Sequence, residues 1–181
     1  MLSADNQQER LPVELEYLKW YIAGFVDGEG CFSVSIRKSK FSRLKWTINP
    51  LFQVYQHKKN ALVLSLCQQI FECGYISDKG GNPSCKTYCV DKIQDLTEKV
   101  IPFFNKHPLL GQKQNNVILF EQIIEGMRLK QHLNPEGFFK LAELAFQMND
   151  MGKYRKVTLS EIKESLAKSS ETIRQTSLQK R

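Results

Sequence analysis

The chain has 181 residues, a formal net charge of +7 and a 41% hydrophobic fraction, enough for one domain with its own core and no covalent staples. No apolar run approaches the roughly 20 residues a bilayer requires, and Met1–Arg10 has neither the apolar centre of a secretory signal nor the acid-poor, Arg-rich make-up of a transit peptide, so a soluble protein without a membrane anchor is expected. Cys31, Cys67, Cys73, Cys85 and Cys89 form no Cys-x-x-Cys pair and have no clustered His beside them, which favours reduced thiols over a zinc site or a disulfide framework.

The elements follow from periodicity. From Glu14 to Asp27 the positions Leu15, Leu18, Ile22, Phe25 and Val26 recur at helical spacing and Gly28 and Gly30 end the run. The period then changes to two: Phe32, Val34 and Ile36 alternate with Ser33, Ser35 and Arg37, as in a strand with one apolar face. After a basic turn around Lys38–Ser42, a second strand alternates Trp46, Ile48, Phe52 and Val54 with Lys45, Thr47, Asn49, Gln53 and Tyr55, and Pro50 on the apolar side suggests an edge or a bulge. Asn60 is placed to cap a helix over Ala61–Glu72, stopped by Gly74. Tyr75–Lys79 and Lys86–Val90 read as a second strand pair around Gly80-Gly81-Asn82-Pro83. Helices follow over Asp91–Phe104, Gln112–Met127 and Pro135–Met148, and Thr158-x-x-Glu161 is a capping box for a terminal helix. The class is α+β, with mobile tails at 1–12 and 167–181 flanking one domain over 13–166.

The charge is uneven. Arg37, Lys38, Lys40, Arg43, Lys45, Lys58 and Lys59 lie between Cys31 and Asn60 without one Asp or Glu, and a second surplus includes Lys153, Arg155 and Lys156. A solvated basic face is the bland reading; polyanion binding is the alternative that the strand pattern favours. The polar strand positions carry groups that pair with base edges, and a two-stranded ribbon fits the major groove. A strand of about 11 residues covers roughly 36 Å, about ten base pairs.

The run Ile22-Ala23-Gly24-Phe25-Val26-Asp27-Gly28-Glu29-Gly30 is unusual for a helix end, because its acids face the negative pole of the macrodipole and call for a positive partner. A divalent cation would supply it, and carboxylate plus carbonyl oxygens suit magnesium. Ala23 and Gly24 lack bulk, so another helix could approach there. This nine-residue segment resembles the LAGLIDADG motif of the homing endonucleases, with Glu in place of the final Asp, and the resemblance extends over about Tyr17–Ser165.

The resemblance implies a homing endonuclease fold in which helices cover a saddle-shaped antiparallel sheet and a single motif copy pairs across a homodimer, through Leu18, Ile22, Ala23 and Gly24. It implies Glu29 as metal-binding acid, with the Gly28 carbonyl on the same ion and Asp27 structural. Phe52-Gln53-Val54-Tyr55-Gln56 resembles the family's Phe-Gln-Val-Thr-Gln strand, so Gln56 would orient active-site water and Gln53 would read a base. The family's basic active-site residue falls on Gly111, leaving Lys113 as the substitute, and its arginine falls near Asn60, leaving that role vacant or moved to His57, Lys58 or Lys59. The DNA contacts implied are Ser33, Ser35, Arg37, Lys45, Thr47, Asn49, Gln53, Tyr55, Tyr75, Ser77, Lys79 and Thr87, with Lys153, Arg155 and Lys156 on phosphates.

The expected function is magnesium-dependent double-strand cleavage of a long, roughly palindromic DNA site in support of intron mobility, with manganese able to substitute. The partners are double-stranded DNA and a second copy, with no membrane and no small-molecule substrate. Family habit implies an organelle, chloroplast ahead of mitochondrion. The rivals are an intron maturase, which would bind intron RNA, and a DNA-binding regulator that does not cut.

Overall fold

The computed structural model describes residues 5–151 and 155–178, with side chains over 14–149 and 155–168. In chain order, helix α1 (Asp5–Glu29) passes into strands β1 (Gly30–Lys38) and β2 (Trp46–His57), a 3-10 turn at Lys58–Asn60, and α2 (Leu62–Phe71). Strands β3 (Tyr75–Asp78) and β4 (Cys85–Val90) precede α3 (Ile93–Asp95), a π-helical turn at Leu96–Val100, and α4 (Ile101–Lys106). Helices α5 (Lys113–Arg128), α6 (Pro135–Met151) and α7 (Leu159–Leu178) complete the chain. The expected class and element order are found, in a four-stranded sheet of order β1-β2-β4-β3.

Four local readings change. α1 begins at Asp5 and α7 reaches Leu178, because the Glu, Gln, Lys, Ala and Leu of these polar segments are good helix formers. Asn60 lies inside the 3-10 turn, whose cap is the side chain of His57, and Ala61 stands at the start of α2 without a side-chain cap. Glu72, at φ 51°, is the left-handed residue that ends α2, ahead of Gly74. The helix expected over Asp91–Phe104 contains the π turn, where Pro102 has no N–H to donate and its ring crowds the carbonyl one turn earlier. The capping box at Thr158 forms reciprocally, the Thr158 N–H donating to Glu161 Oε2 at 2.8 Å and the Glu161 N–H to Thr158 Oγ1 at 3.2 Å.

The chain divides into two units. The first comprises Met1–Cys31 and Phe52–Gln114. Its core is aromatic: Phe52 meets Phe71, Tyr88 and Phe104 with ring centroids 5.4, 6.2 and 5.6 Å apart, and Leu64, Cys67, Leu96 and Val100 close around them. Each large side chain so buried contributes roughly 1.5–3 kcal/mol. Register is set by β4, which pairs antiparallel with β2 (Phe52↔Val90 to His57↔Cys85) and with β3 (Tyr75↔Cys89 to Asp78↔Lys86). Pro50 lies in β2 before the first β4 partner, so the sheet loses no ladder bond to it there.

The second unit comprises Phe32–Leu51 and Asn115–Arg181. Phe32, Val34, Ile36, Leu44, Trp46 and Ile48 bury one face of its hairpin with Val117, Phe120, Ile123 and Ile124 of α5, Phe138, Leu141, Ala145 and Met148 of α6, and Ile162 and Leu166 of α7. The opposite face carries Ser33, Ser35, Arg37, Thr47 and Asn49, as period two requires.

Candidate functional site

α1 ends at Glu29 and β1 begins at the next residue, so helix turns into strand without a loop. This demands glycine at position 30, where a Cβ would lie 2.5 Å from Val26 Cγ1 and 2.7 Å from the Val26 carbonyl oxygen. Glu29 and Gly28 are exposed at the turn.

The positive partner that the acidic helix end calls for is on the chain itself. The Lys113 ammonium donates to the carbonyls of Val26 at 2.9 Å, Asp27 at 2.6 Å and Gly28 at 3.1 Å, satisfying acceptors that α1 leaves open at its C-terminus. Burial pulls its pKa below the ordinary lysine value, while the charges of Asp27, Cys31 and Glu29 oppose that pull. Asp27 is structural, its Oδ2 accepting from the N–H groups of Leu110 at 3.2 Å and Gly111 at 3.0 Å. A Cβ at Gly111 would stand 2.9 Å from Asp27 Oδ1, so a larger residue there would have to displace that carboxylate.

Among the described residues, no three His, Cys, Asp or Glu side chains gather as a metal site. At this helix end, among the described residues, the exposed carboxylate is Glu29, beside backbone oxygens. That donor set fits a hard cation that keeps several waters.

Along β2, Gln53 and Tyr55 share one face, with Phe52, Val54 and Gln56 on the other. Tyr55 Oη donates to Gln53 Oε1 at 2.7 Å, and the Lys79 ammonium lies 4.1 Å from the Tyr55 ring centroid. The rows Gln53–Cys89–Tyr75 and Tyr55–Thr87–Ser77 cross the three strands by register. Thr87, expected to touch DNA, is only 3% exposed beneath this layer, because as the central member of its row it is flanked on both sides. Tyr75 is exposed and donates to Asp91 Oδ2 at 3.1 Å. Gln56 Oε1 accepts from the His57 N–H at 2.6 Å. Of the candidates for the missing arginine, Lys58 pairs with Asp78 at 3.1 Å and His57 Nδ1 accepts from the Lys59 N–H.

In the second unit, Arg155 departs from expectation. Its guanidinium donates to the carbonyls of Val34 in β1, at 2.8 Å, and Ala145 in α6, and lies 4.8 Å from the Phe146 ring centroid. Burial lowers its pKa. It is committed to backbone rather than held out for a phosphate. Asn149 similarly donates to the Phe32 carbonyl at 2.9 Å, so two side chains cover carbonyls of β1, an edge strand. Lys156 is exposed; Lys153 lies outside the described residues.

The motif helix also needs correction. Ile22 and Ala23 are 0% and 3% exposed within the single chain, so their side chains belong to its core. The open face carries Tyr17, Tyr21, Gly24 and Gly28, on successive turns, with Leu18 and Trp20 beside it at 40% and 47% exposure. Sequence reading missed Tyr17 and Tyr21 because their spacing was masked by a stripe that is apolar on two sides of the helix.

A motif helix that delivers an acid straight into a sheet with a polar outer face defines the class: the chain belongs to the LAGLIDADG endonuclease family, whose model matches residues 22–124. "Probable intron-encoded endonuclease 2" of Neurospora crassa is 32% identical over 130 residues, 71% of this chain and 28% of its own length. DNA endonuclease I-CeuI of Chlamydomonas moewusii is 32% identical over 110 residues, 59% of this chain and 50% of its own. The solved archaeal intron-encoded homing endonuclease I-Vdi141I, complexed with DNA, superposes with a TM-score of 0.78 at 30% identity, covering 86% of this chain and 98% of that one. The chain spans 28% and 24% of the lengths of the two Neurospora relatives it matches.

Proposed function

We propose that this chain is a site-specific homing endonuclease that hydrolyses one phosphodiester in each strand of a DNA duplex, as a homodimer and with magnesium. The observation that carries the reading is Glu29, an exposed carboxylate on a helix end braced by Lys113 and joined directly to β1. One chain supplies one such acid, so the site is completed when a second copy packs its Tyr17–Tyr21–Gly24–Gly28 face against the first. Glu29 and the Gly28 carbonyl would hold the ion, which when bound supplies charge stabilisation for the attacking and leaving oxygens. Lys113 acts through the backbone as a positioning residue, holding the Gly28–Glu29 turn in place. Gln56 turns a water toward the phosphate; Gln53, Tyr55, Ser77 and Lys79 of the first unit are DNA contacts, and so, separately, are Ser33, Ser35, Arg37, Lys45, Thr47 and Asn49 of the second. The target is roughly palindromic because both copies present the same hairpins. The role is intron homing within an organellar genome, a chloroplast before a mitochondrion.

The test is cleavage of a randomised duplex library with magnesium, comparing wild type with Glu29→Gln. Cutting by wild type alone is expected. Equal cutting overturns the role of Glu29, and tight duplex binding without any cutting overturns the nuclease in favour of a regulator. Gly24 has open space around it in the single chain, so Gly24→Leu should leave the fold intact, yield a monomer by light scattering and abolish cutting.

A further inference from the structure

The loop that joins β1 to β2 is closed on itself. The Ser39 N–H donates to the Lys45 carbonyl at 2.8 Å and the Lys45 N–H to the Ser42 carbonyl at 2.9 Å, with Lys45 held at φ 64°. The Phe41 N–H donates to Ser39 Oγ at 3.3 Å. Leu44 is tucked into the core at 3% exposure, whereas Phe41, three residues earlier, is 100% exposed. A loop with one apolar side chain already anchored would gain by folding its phenyl ring inward as well. Here that ring stands entirely in water.

The ring's surroundings say what would cover it. Lys40, Arg43 and Lys45, its neighbours in the loop, are exposed, and no acid lies between Cys31 and Asn60 in the sequence; Lys38 lies over the Trp46 ring and acts on Glu161. An apolar ring in a cationic setting matches a polyanion that also offers flat apolar faces, which is the chemistry of stacked nucleobases on a phosphate backbone. Arg37, Thr47 and Asn49 on the same hairpin suit base edges, which favours duplex DNA over an anionic membrane.

We propose that Phe41 is a base-stacking tip, wedging against a nucleobase in each half-site while Lys40 and Arg43 grip the adjacent phosphates. This rests on the DNA-binding reading above and adds a contact that carries affinity without a hydrogen-bond code.

The test compares wild type, Phe41→Ala, Phe41→Trp and Lys40→Ala in binding a labelled random-sequence duplex pool across a salt series, with thermal unfolding as the fold control. Phe41→Ala should weaken binding roughly ten-fold or more without changing the slope of log K against log salt, and Phe41→Trp should restore affinity. Lys40→Ala should instead reduce that slope by about one. Thymines unstacked by the tip should become permanganate-reactive with wild type and Phe41→Trp, and not with Phe41→Ala. Equal affinity and equal permanganate patterns for wild type and Phe41→Ala overturn the proposal. So does a Phe41→Ala variant that loses binding only to phosphatidylserine vesicles, which would assign the tip to a membrane. A wild type that binds no duplex at all overturns the DNA reading itself, a result distinct from a silent Phe41.

Discussion

Replacing Lys113 with Met tests whether the C-terminus of α1 is held by a single ammonium. Met keeps most of the length and apolar stem of lysine, so the substitution removes charge and hydrogen bonds while leaving little cavity. Three acceptors are lost together, the carbonyls of Val26, Asp27 and Gly28 at 2.9, 2.6 and 3.1 Å. A hydrogen bond to a charged group is worth about 1.5–3 kcal/mol, and a cation at a helix C-terminus adds about 0.3–1 kcal/mol. The three bonds share one ammonium on a partly exposed side chain and do not add, so the expected loss is about 2–4 kcal/mol. With a urea dependence of about 1–3 kcal/mol per molar, the midpoint should fall by roughly 1–3 M. Lys113→Arg should recover only part of this, because a planar fork does not converge on three carbonyls as an ammonium does. Cleavage should fall with Lys113→Met even at temperatures where the variant is folded, since the Glu29 turn loses its brace. A Lys113→Met midpoint indistinguishable from wild type would refute the structural role.

Arg155 and Lys156 are neighbours for which different effects are expected. Arg155→Met should lower stability by about 1–3 kcal/mol through its lost bonds to Val34 and Ala145 and leave the salt dependence of DNA binding unchanged, whereas Lys156→Ala should reduce that slope by about one and leave the melting temperature alone; reversed outcomes would exchange their roles. Glu16 Oε1 lies 2.7 Å from His107 Nε2, and that hydrogen bond, with the charges of His107 and Lys19, holds its pKa below 4.5. A folded-state value below the unfolded one gives stability that is full above pH 4.5 and lost as pH falls through the depressed value. Glu16→Gln should therefore flatten the acid side of the stability curve, read by urea midpoints across that range. Gly30→Ala should destabilise severely, since its Cβ would meet Val26 atoms at 2.5 and 2.7 Å. A soluble variant with an unchanged melting temperature would show that the helix-to-strand turn has slack.

Periodicity made the strands legible. The alternation of Phe32, Val34 and Ile36 and of Trp46, Ile48, Phe52 and Val54 reappears as buried faces, because these strands are packed on one face and period two sorts their residues between faces. Helix faces were harder. Leu15 and Leu18 are 47% and 40% exposed despite their helical spacing with Ile22 and Val26, since α1 is apolar on two sides and spacing cannot say which side meets the core of its own chain. Thr87, a DNA contact by resemblance, is 3% exposed, and its burial between Tyr55 and Ser77 depends on strand order, which periodicity does not give.

The Ile22–Gly30 run by itself determined that an acid closes a helix and that a positive charge must answer it, since the macrodipole and the acids are properties of adjacent residues. What only the tertiary structure decided is which charge answers. Lys113 is far from Asp27 in sequence and reaches its carbonyl at 2.6 Å, and Arg155, equally basic, spends its donors on β1 and α6. Residue type sets how many hydrogen bonds a cation offers; the packing of distant segments sets whether they go to backbone or remain for a ligand.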